Sequence, residues 1–416
     1  MNPAFPSTPA SPTAVSSKLN RIEVVDALRG IALFGILLVH CAQWYTAGSI
    51  PGSVYQAQAS GVANSVSQAI MGIFFDGKFY TFFSFLFGLS FALMMTRSQE
   101  PSGVFYRRFA WRLIVLGIIG YLHHLLWRGD ILSIYAMLGF LMLPFGKVPN
   151  TVVLVVALLL VTNVPSRLRT VYETVVSPPA QKDPKQEQKT YEQDAKAYYD
   201  VLTKGSQADL MRFNANAFGV KMRFQLDSGR IFVTLGFFLL GLYAGRRRLF
   251  QQLTENKRWF RRTTRFAGFS VLGITAIGLG LFAVFGSDKA PPAWVMQTVT
   301  ILFDLQSALL TIFYIAGFAL LFQRRSWQWT IGPLAAVGKM GLTSYVAQTI
   351  IGTYLFFGFG FGLLDKTTVW QATLITIPIF VGQVLFSQFW LARFRYGPLE
   401  WLWRSLTYLR LQPMRA

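Results

Sequence analysis

Ten apolar runs, several of them about 20 residues long, constrain this chain more than any other feature. Hydrocarbon offers no water to satisfy backbone N–H and C=O groups, and about 20 apolar residues are what a helix needs to cross it. On that criterion the spans lie near 26 to 45, 74 to 95, 109 to 127, 131 to 146, 148 to 165, 229 to 246, 266 to 286, 296 to 322, 333 to 358 and 369 to 391. The fourth is short enough to be tilted or partly sunk between its neighbours. The expected fold is all-α, a polytopic membrane helix bundle of about ten transmembrane helices with both termini in the cytoplasm.

Composition agrees. Of 416 residues 53% are hydrophobic and 14% charged, against about 25% charged in a soluble domain. The net charge of +21 would suit nucleic acid if it clustered on a soluble face. Here the basic residues stand between apolar runs, so the partner they imply is a lipid bilayer and not nucleic acid. The single cysteine, Cys41, lies inside the first run and allows no intramolecular disulfide. That run is as long as a span and lacks a small-residue cleavage site, so it reads as an anchor helix rather than a signal peptide.

Orientation follows from Lys and Arg in the short loops. With the N-terminus inside, Lys18, Arg21, Arg97, Arg107, Arg108, Arg112, Lys147, Arg246 to Arg248, Arg324, Arg325 and Arg393 to Arg415 fall on the cytoplasmic side. The short outer loops hold little beyond Arg128, Lys289 and Lys366. The expected organisation is a disordered tail over 1–20, a five-helix half over 21–165, an outer and partly helical segment over 166–228, a second five-helix half over 229–391, and a basic tail over 392–416. The outer segment opens with Ser177, Pro178 and Pro179 and runs into alternating charges, which read as a solvated surface.

A charged side chain inside a span costs roughly 2.5 to 3.5 kcal/mol on insertion scales, which makes each one a functional candidate. In the first span Arg29 and His40 are eleven residues apart, about 20° in azimuth and about 16 Å along the axis, and Asp26 falls within about 60° of both. Such a face suits an anionic ligand at the inner end and a proton acceptor at the outer end. A purely structural Asp26–Arg29 ion pair at the membrane edge fits as well. The other histidines, His123 and His124, fall at the outer end of the third span, level with His40. Asp130 follows in a tight outer turn, able to orient a histidine or to cap the next helix.

Lys78 and Tyr80 at the outer start of the second span, Arg230 at that of the sixth and Gln348 in the ninth are candidate substrate-binding residues. Lys78 reads equally as a lysine reaching for the headgroups. Asp304, several residues deep, needs a partner. No zinc-ligand spacing, phosphate-cradling loop or serine elbow stands in a believable context, so no metal is expected.

The stretch from Arg21 to His40 resembles the opening helix of the YeiB-like bacterial membrane proteins, domain of unknown function 418. Lys78 to Gly88, Gly120 to His123, Gly129 to Tyr135, Gly338 to Gln348 and Tyr396 to Tyr408 are similar to further motifs of that family. The resemblance spans nearly the whole chain and implies a multi-pass protein of the bacterial plasma (inner) membrane. The family is grouped with the transmembrane acyltransferases, among them the acyltransferase-3 proteins that modify surface glycans and the lysosomal enzyme that acetylates heparan glucosamine. In the acyltransferase-3 branch an Arg and a His separated by ten residues mark the first helix, as Arg29 and His40 do here. Asn is more usual at the position of His40 in the YeiB-like pattern, which leaves His123 the more general candidate for the base.

The implied activity is O-acyl transfer from cytoplasmic acetyl-CoA to a glycan or small-molecule acceptor outside. Asp26, Arg29 and Arg112 would serve the acyl-CoA, and His40, His123, His124 and Asp130 the chemistry. A homodimer is among the assemblies this class allows. The alternative is a proton-coupled transporter or exporter of a small solute. Against it stands the absence of legible repeats and of Gly/Pro-broken helix pairs.

Overall fold

The computed structural model describes residues 16–48, 50–176, 184–286 and 291–415, and among these it holds no strand beyond an isolated bridge between Phe394 and Arg415. Most of the expected N-terminal tail and the Ser177 to Pro179 turn lie outside the described residues, as does Lys289. The first helix, α1 (Ser16–Ala42), begins inside the stretch read as tail. After it come α2 (Gly52–Ala59), α3 (Val62–Ile70), α4 (Phe79–Arg97), α5 (Ser102–Leu126), α6 (Leu132–Met142), α7 (Asn150–Val161) and α8 (Val164–Val175). The region read as an outer segment carries α9 (Pro184–Lys204), α10 (Gln207–Asn216) and α11 (Phe218–Asp227). The chain closes with α12 (Arg230–Arg246), α13 (Lys257–Phe285), α14 (Ala293–Phe322), α15 (Arg325–Ile331), α16 (Leu334–Lys339), α17 (Gly341–Phe356), α18 (Val369–Leu391) and α19 (Pro398–Tyr408).

By length and apolar composition six helical stretches are able to cross a membrane: Glu23–Ala42, Val62–Arg97, Ser102–Leu126, Lys257–Phe285, Trp294–Phe322 and Val369–Leu391. Two bent pairs, α7 with α8 at 52° and α11 with α12 at 72°, raise the number to eight. The chain is thus an all-helical, multi-pass membrane protein. The expectation of ten exceeds this count for two local reasons. The fourth expected span is only Leu132–Gly146, and the ninth is divided at Met340 between α16 and α17.

The bends also overturn the expectation that no helix pair is broken. Asn163 adopts a left-handed backbone (φ 58°) between α7 and α8, and Gly229 does so (φ 70°) between α11 and α12. The two breaks meet, because a Cβ on Gly229 would stand 2.4 Å from the side chains of Asn163 and Ser166. Here Asp304 of α14 finds its partners, an ion pair with Arg167 and a 3.3 Å hydrogen bond from Asn163 Nδ2.

Central and peripheral helices differ in what surrounds them. α1 is apolar on nearly every side, and Val24, Ala27, Leu28, Ala32, Leu33, Leu37 and Cys41 are all buried, as an all-round hydrophobic helix should be in a bundle. It packs on α16, α18, α4, α17 and α14. α13 touches mainly α14 and turns Phe266, Phe269, Leu272 and Phe282 outward, which is stable only where the solvent is hydrocarbon.

Lipid tails are as apolar as leucine, so helix pairs here gain from close backbone approach rather than from burial alone. Glycine makes that approach at two crossings. A Cβ on Gly88 of α4 would lie 1.8 Å from the Phe238 carbonyl oxygen of α12, and one on Gly241 would lie 2.0 Å from that of Phe85. Between α1 and α16, a Cβ on Gly338 would meet the Asp26 carbonyl at 1.8 Å, and one on Gly30 the Leu334 carbonyl at 2.2 Å. The bundle has two chemically distinct ends. One carries Arg29, Arg112, Arg246 and α19 and is called the basic end; the other carries the histidines.

Candidate functional site

α5 ends one turn after His123 and His124. Trp127 leaves the helix in an extended conformation, and a tight turn brings Asp130 back beneath His123. Asp130 caps α6, accepting from the Leu132 N–H at 2.9 Å and the Ser133 N–H at 3.0 Å. Its Oδ1 also lies 2.9 Å from Nδ1 of His123, so the two roles open to it coexist. The far nitrogen of His123, Nε2, lies 2.9 Å from the hydroxyl of Thr349 on α17. Carboxylate, imidazole and hydroxyl therefore form a line, all three buried.

A fourth member comes from the segment read as solvated. Lys221 of α11 is 9% exposed and donates to Asp130 Oδ2 at 3.1 Å and to the Ser133 hydroxyl at 2.9 Å. Burial would raise the Asp130 carboxyl, but the His123 hydrogen bond, the Lys221 charge and Ser133 outweigh it and hold the group below the usual carboxylate range. His124 points away from this line, with Nε2 2.8 Å from the Asn214 carbonyl of α10 and Nδ1 3.5 Å from Lys221. It ties α10 and α11 to α5.

His40 reaches the same level from α1. Its ring packs on Trp127 at 4.5 Å and Tyr45 at 5.3 Å between centroids, and His123 meets Trp127 from another side at 6.2 Å. Its ring nitrogens hydrogen-bond to none of the described residues. Beyond it the chain turns with left-handed backbone at Trp44, Tyr45 and Ala47 (φ 47°, 57° and 47°), conformations that cost about 1 to 3 kcal/mol each and persist only when neighbours enforce them. Trp127 Nε1 holds the Tyr45 carbonyl at 2.5 Å, the Tyr198 hydroxyl holds that of Thr46 at 2.5 Å, and Trp44 Nε1 holds that of Thr367 at 3.2 Å.

At the basic end Arg29 pairs with Asp26 and donates to the Ser90 hydroxyl of α4 at 2.7 Å. Arg112 of α5 lies 3.6 Å over the Trp403 ring of α19, within range of the charges on Arg29 and Arg404. Lys339 and Arg97 add positive charge around Asp26. Arg29 and His40 thus both point into the bundle rather than to lipid. Between their levels the stripe is closed, since Leu33 and Leu37 have no exposed surface and Ile36 is buried.

The model of the family described as "Protein of unknown function (DUF418)" matches residues 244–410. Over 414 residues the chain is 30% identical to the uncharacterized protein YxaH of Bacillus subtilis, covering 95% of this chain and 96% of that one. The chain belongs to the DUF418 family. It is also 28% identical over 410 residues to the uncharacterized protein YeiB of Escherichia coli, covering 94% of this chain and 97% of YeiB. No solved structure matches.

In this DUF418 protein the matched region holds Thr349 and Gln348, while His40, His123 and Asp130 precede it and fall within the full-length similarity to YxaH and YeiB. Of the candidates for substrate binding, Tyr80 and Arg230 come together, the guanidinium 4.6 Å over the ring. Lys78 stands just before α4, inside the Val62–Arg97 stretch rather than at its start, and does not reach for headgroups. It is fully buried, and its ammonium donates to the Gly72 carbonyl at 2.8 Å and lies 4.8 Å over the Phe303 ring. Gln348 is a tie between helices, donating to Gln383 of α18 at 2.9 Å and the Leu33 carbonyl of α1 at 3.4 Å. Among the described residues no group of three or more His, Cys, Asp or Glu is placed to hold a metal ion.

Two members of the site escape sequence reasoning. Thr349 sits one turn beyond Tyr345 in an ordinary apolar helix and carries no signal. Lys221 has a weak one, standing in a stretch from Gln207 to Asp227 with fewer charges than the segment before it.

Proposed function

We propose that this protein transfers an acyl group from a coenzyme A thioester at the basic end to a hydroxyl at the histidine end, across the bacterial plasma membrane. The observation that carries the reading is His123 held between Asp130 and Thr349. A carboxylate on Nδ1 fixes the imidazole with Nε2 free to accept a proton, and the Thr349 hydroxyl lies where an acceptor hydroxyl would present one. His123 takes the acceptor's proton, the acceptor oxygen forms a bond to the thioester carbonyl carbon, the C–S bond breaks, and the proton returns to the departing thiolate. His40, unengaged and packed on the same tryptophan, is the second group able to exchange that proton.

Arg29 and Arg112, with Asp26 orienting the former, would hold the donor's phosphates by charge-assisted hydrogen bonds. Tyr80 and Arg230 would hold the acceptor, a glycan or a small metabolite. The positive-inside rule places the basic end, and both termini, in the cytoplasm. Because Leu33, Ile36 and Leu37 close the stripe, transfer requires α1 to part from a neighbour when the donor binds.

Purified protein in nanodiscs with labelled acetyl-CoA and an envelope glycan fraction tests this. His123→Ala should lower product formation by about 10²- to 10⁴-fold, the range of a lost general base. Equal product from wild type and a His40→Ala, His123→Ala double variant would sink the assignment. A second reading has an observation of its own: the paired breaks at Asn163 and Gly229 are the geometry of helices that line a transport site. It predicts solute flux driven by the proton gradient, with no covalent product.

A further inference from the structure

α17 and α18 separate where Pro378 interrupts α18 and Gly382 presents no side chain. The gap is a cavity of about 490 Å³ whose walls include Ala347, Ile351, Leu355, Pro378 and Ile379. Its apolar wall on α17, from Ala347 to Leu355, is about 12 Å long at 1.5 Å per residue, most of one leaflet of a hydrocarbon core about 30 Å thick. Polar groups appear only toward the basic end, as Thr343, Ser344, Gln383 and Ser387.

The chain carries a cation just past the cavity's polar end. Arg393 stands two residues beyond the last residue of α18, Leu391, past the cavity's polar end at Ser387. It is exposed, forms no ion pair with any described residue, and is held over the Phe389 ring at 3.8 Å with a 3.2 Å hydrogen bond to the Phe389 carbonyl. A narrow apolar slot with a cation at one end matches an amphiphile with a negative head. We propose that the α17–α18 cavity binds one acyl chain of an anionic phospholipid, with Arg393 facing its phosphate.

The floor of the slot gives that lipid a connection to the bundle. Gln383 donates to the Ser344 carbonyl at 3.0 Å and accepts from Gln348, which in turn donates to the Leu33 carbonyl of α1. The chain would therefore lie one polar pair away from the middle of α1. The proposal depends on the bilayer alone and not on the acyl-transfer reading.

The test titrates detergent-purified protein with phosphatidylglycerol or phosphatidylcholine of identical chains and counts retained lipid by native mass spectrometry. Wild type should retain one phosphatidylglycerol in about fivefold preference, the worth of one Arg near an anionic headgroup. Arg393→Ala should remove the preference, and Gly382→Trp the retained lipid itself. A Cβ on Gly382 meets nothing within 4 Å, so the indole fills the slot without breaking the fold. A photoactivatable acyl chain should label peptides around Ile351 and Ile379 in wild type and spare them in Gly382→Trp. Equal retention by Gly382→Trp, or labelling no denser there than on α13, overturns the proposal.

Discussion

Protonating one carboxylate decides whether Lys221 keeps its counter-charge. Asp130 titrates below the ordinary carboxylate range in the folded protein and near 3.9 when unfolded. Its contribution to stability is therefore complete above about pH 4 and is lost as pH falls toward the folded value. Thermal unfolding in detergent should show wild type losing stability below about pH 4, and Asp130→Asn should abolish that dependence. The variant should also be less stable at neutral pH by about 3 to 5 kcal/mol, the cost of leaving a buried charge unpaired. Adding Lys221→Met should recover much of the loss; no recovery would mean that the pair is not what holds the cap. The His123 half of this site is legible in the sequence because seven residues and one turn separate it from Asp130. The Lys221 half is not, because it stands 91 positions further along the chain and only tertiary packing decides which lysine of a charged segment turns inward. Lys78 shows the same limit, since the sequence marks it as a lysine in an apolar run but not the Gly72 carbonyl that accepts its hydrogen bond.

Close approach of backbones is the property of the elements most open to test. Gly88→Leu should force α4 from α12, because the Phe238 carbonyl occupies the added Cβ's place. Overpacking of this kind costs typically 1 to 3 kcal/mol, and a backbone contact has less room to relax than a side chain. Gly273→Leu on α13 is the control, since a Cβ there meets nothing within 4 Å. The first should lower the midpoint of thermal unfolding and the second should leave it unchanged; equal midpoints would remove the role given to Gly88. Apolar run length located α1, α4 to α7, α12 to α14 and α18, with α16 and α17 as one run, and was silent on α2, α3, α15 and α19. It put span ends at 165 and 229 and read the residues between as a solvated segment, so it did not show that α8 and α11 carry helix on past the left-handed Asn163 and Gly229. Pro165, two residues beyond Asn163, was the available hint, and it was absorbed into the end of a span.

At the scale of the molecule the number of crossings turns on the short α6. Six, eight and ten crossings all return the chain to the side where it began, so the location of the ends cannot discriminate among them. The loop after α6 can. Arg246, at the end of α12, pairs with the Gly146 carbonyl and donates to those of Phe145 at 2.8 Å and Val148 at 2.7 Å, which pins this loop to the basic end. Asp130, just before α6, is at the histidine end, so Leu132–Gly146 runs from one end to the other despite its length. Cysteine labelling reads this directly, because the native Cys41 is buried and gives a silent background. With a membrane-impermeant maleimide on intact cells, Lys189→Cys in α9 should react. Lys147→Cys and Leu411→Cys should react only after permeabilisation, as the excess of Lys and Arg at their end requires. Labelling of Lys147→Cys in intact cells, with Leu411→Cys still protected, would mean that α6 turns back inside the bundle and that α5 and α7 share a side. Arg246 would then have to hold its three carbonyls from across the hydrocarbon core, about 30 Å away, which one arginine side chain cannot span.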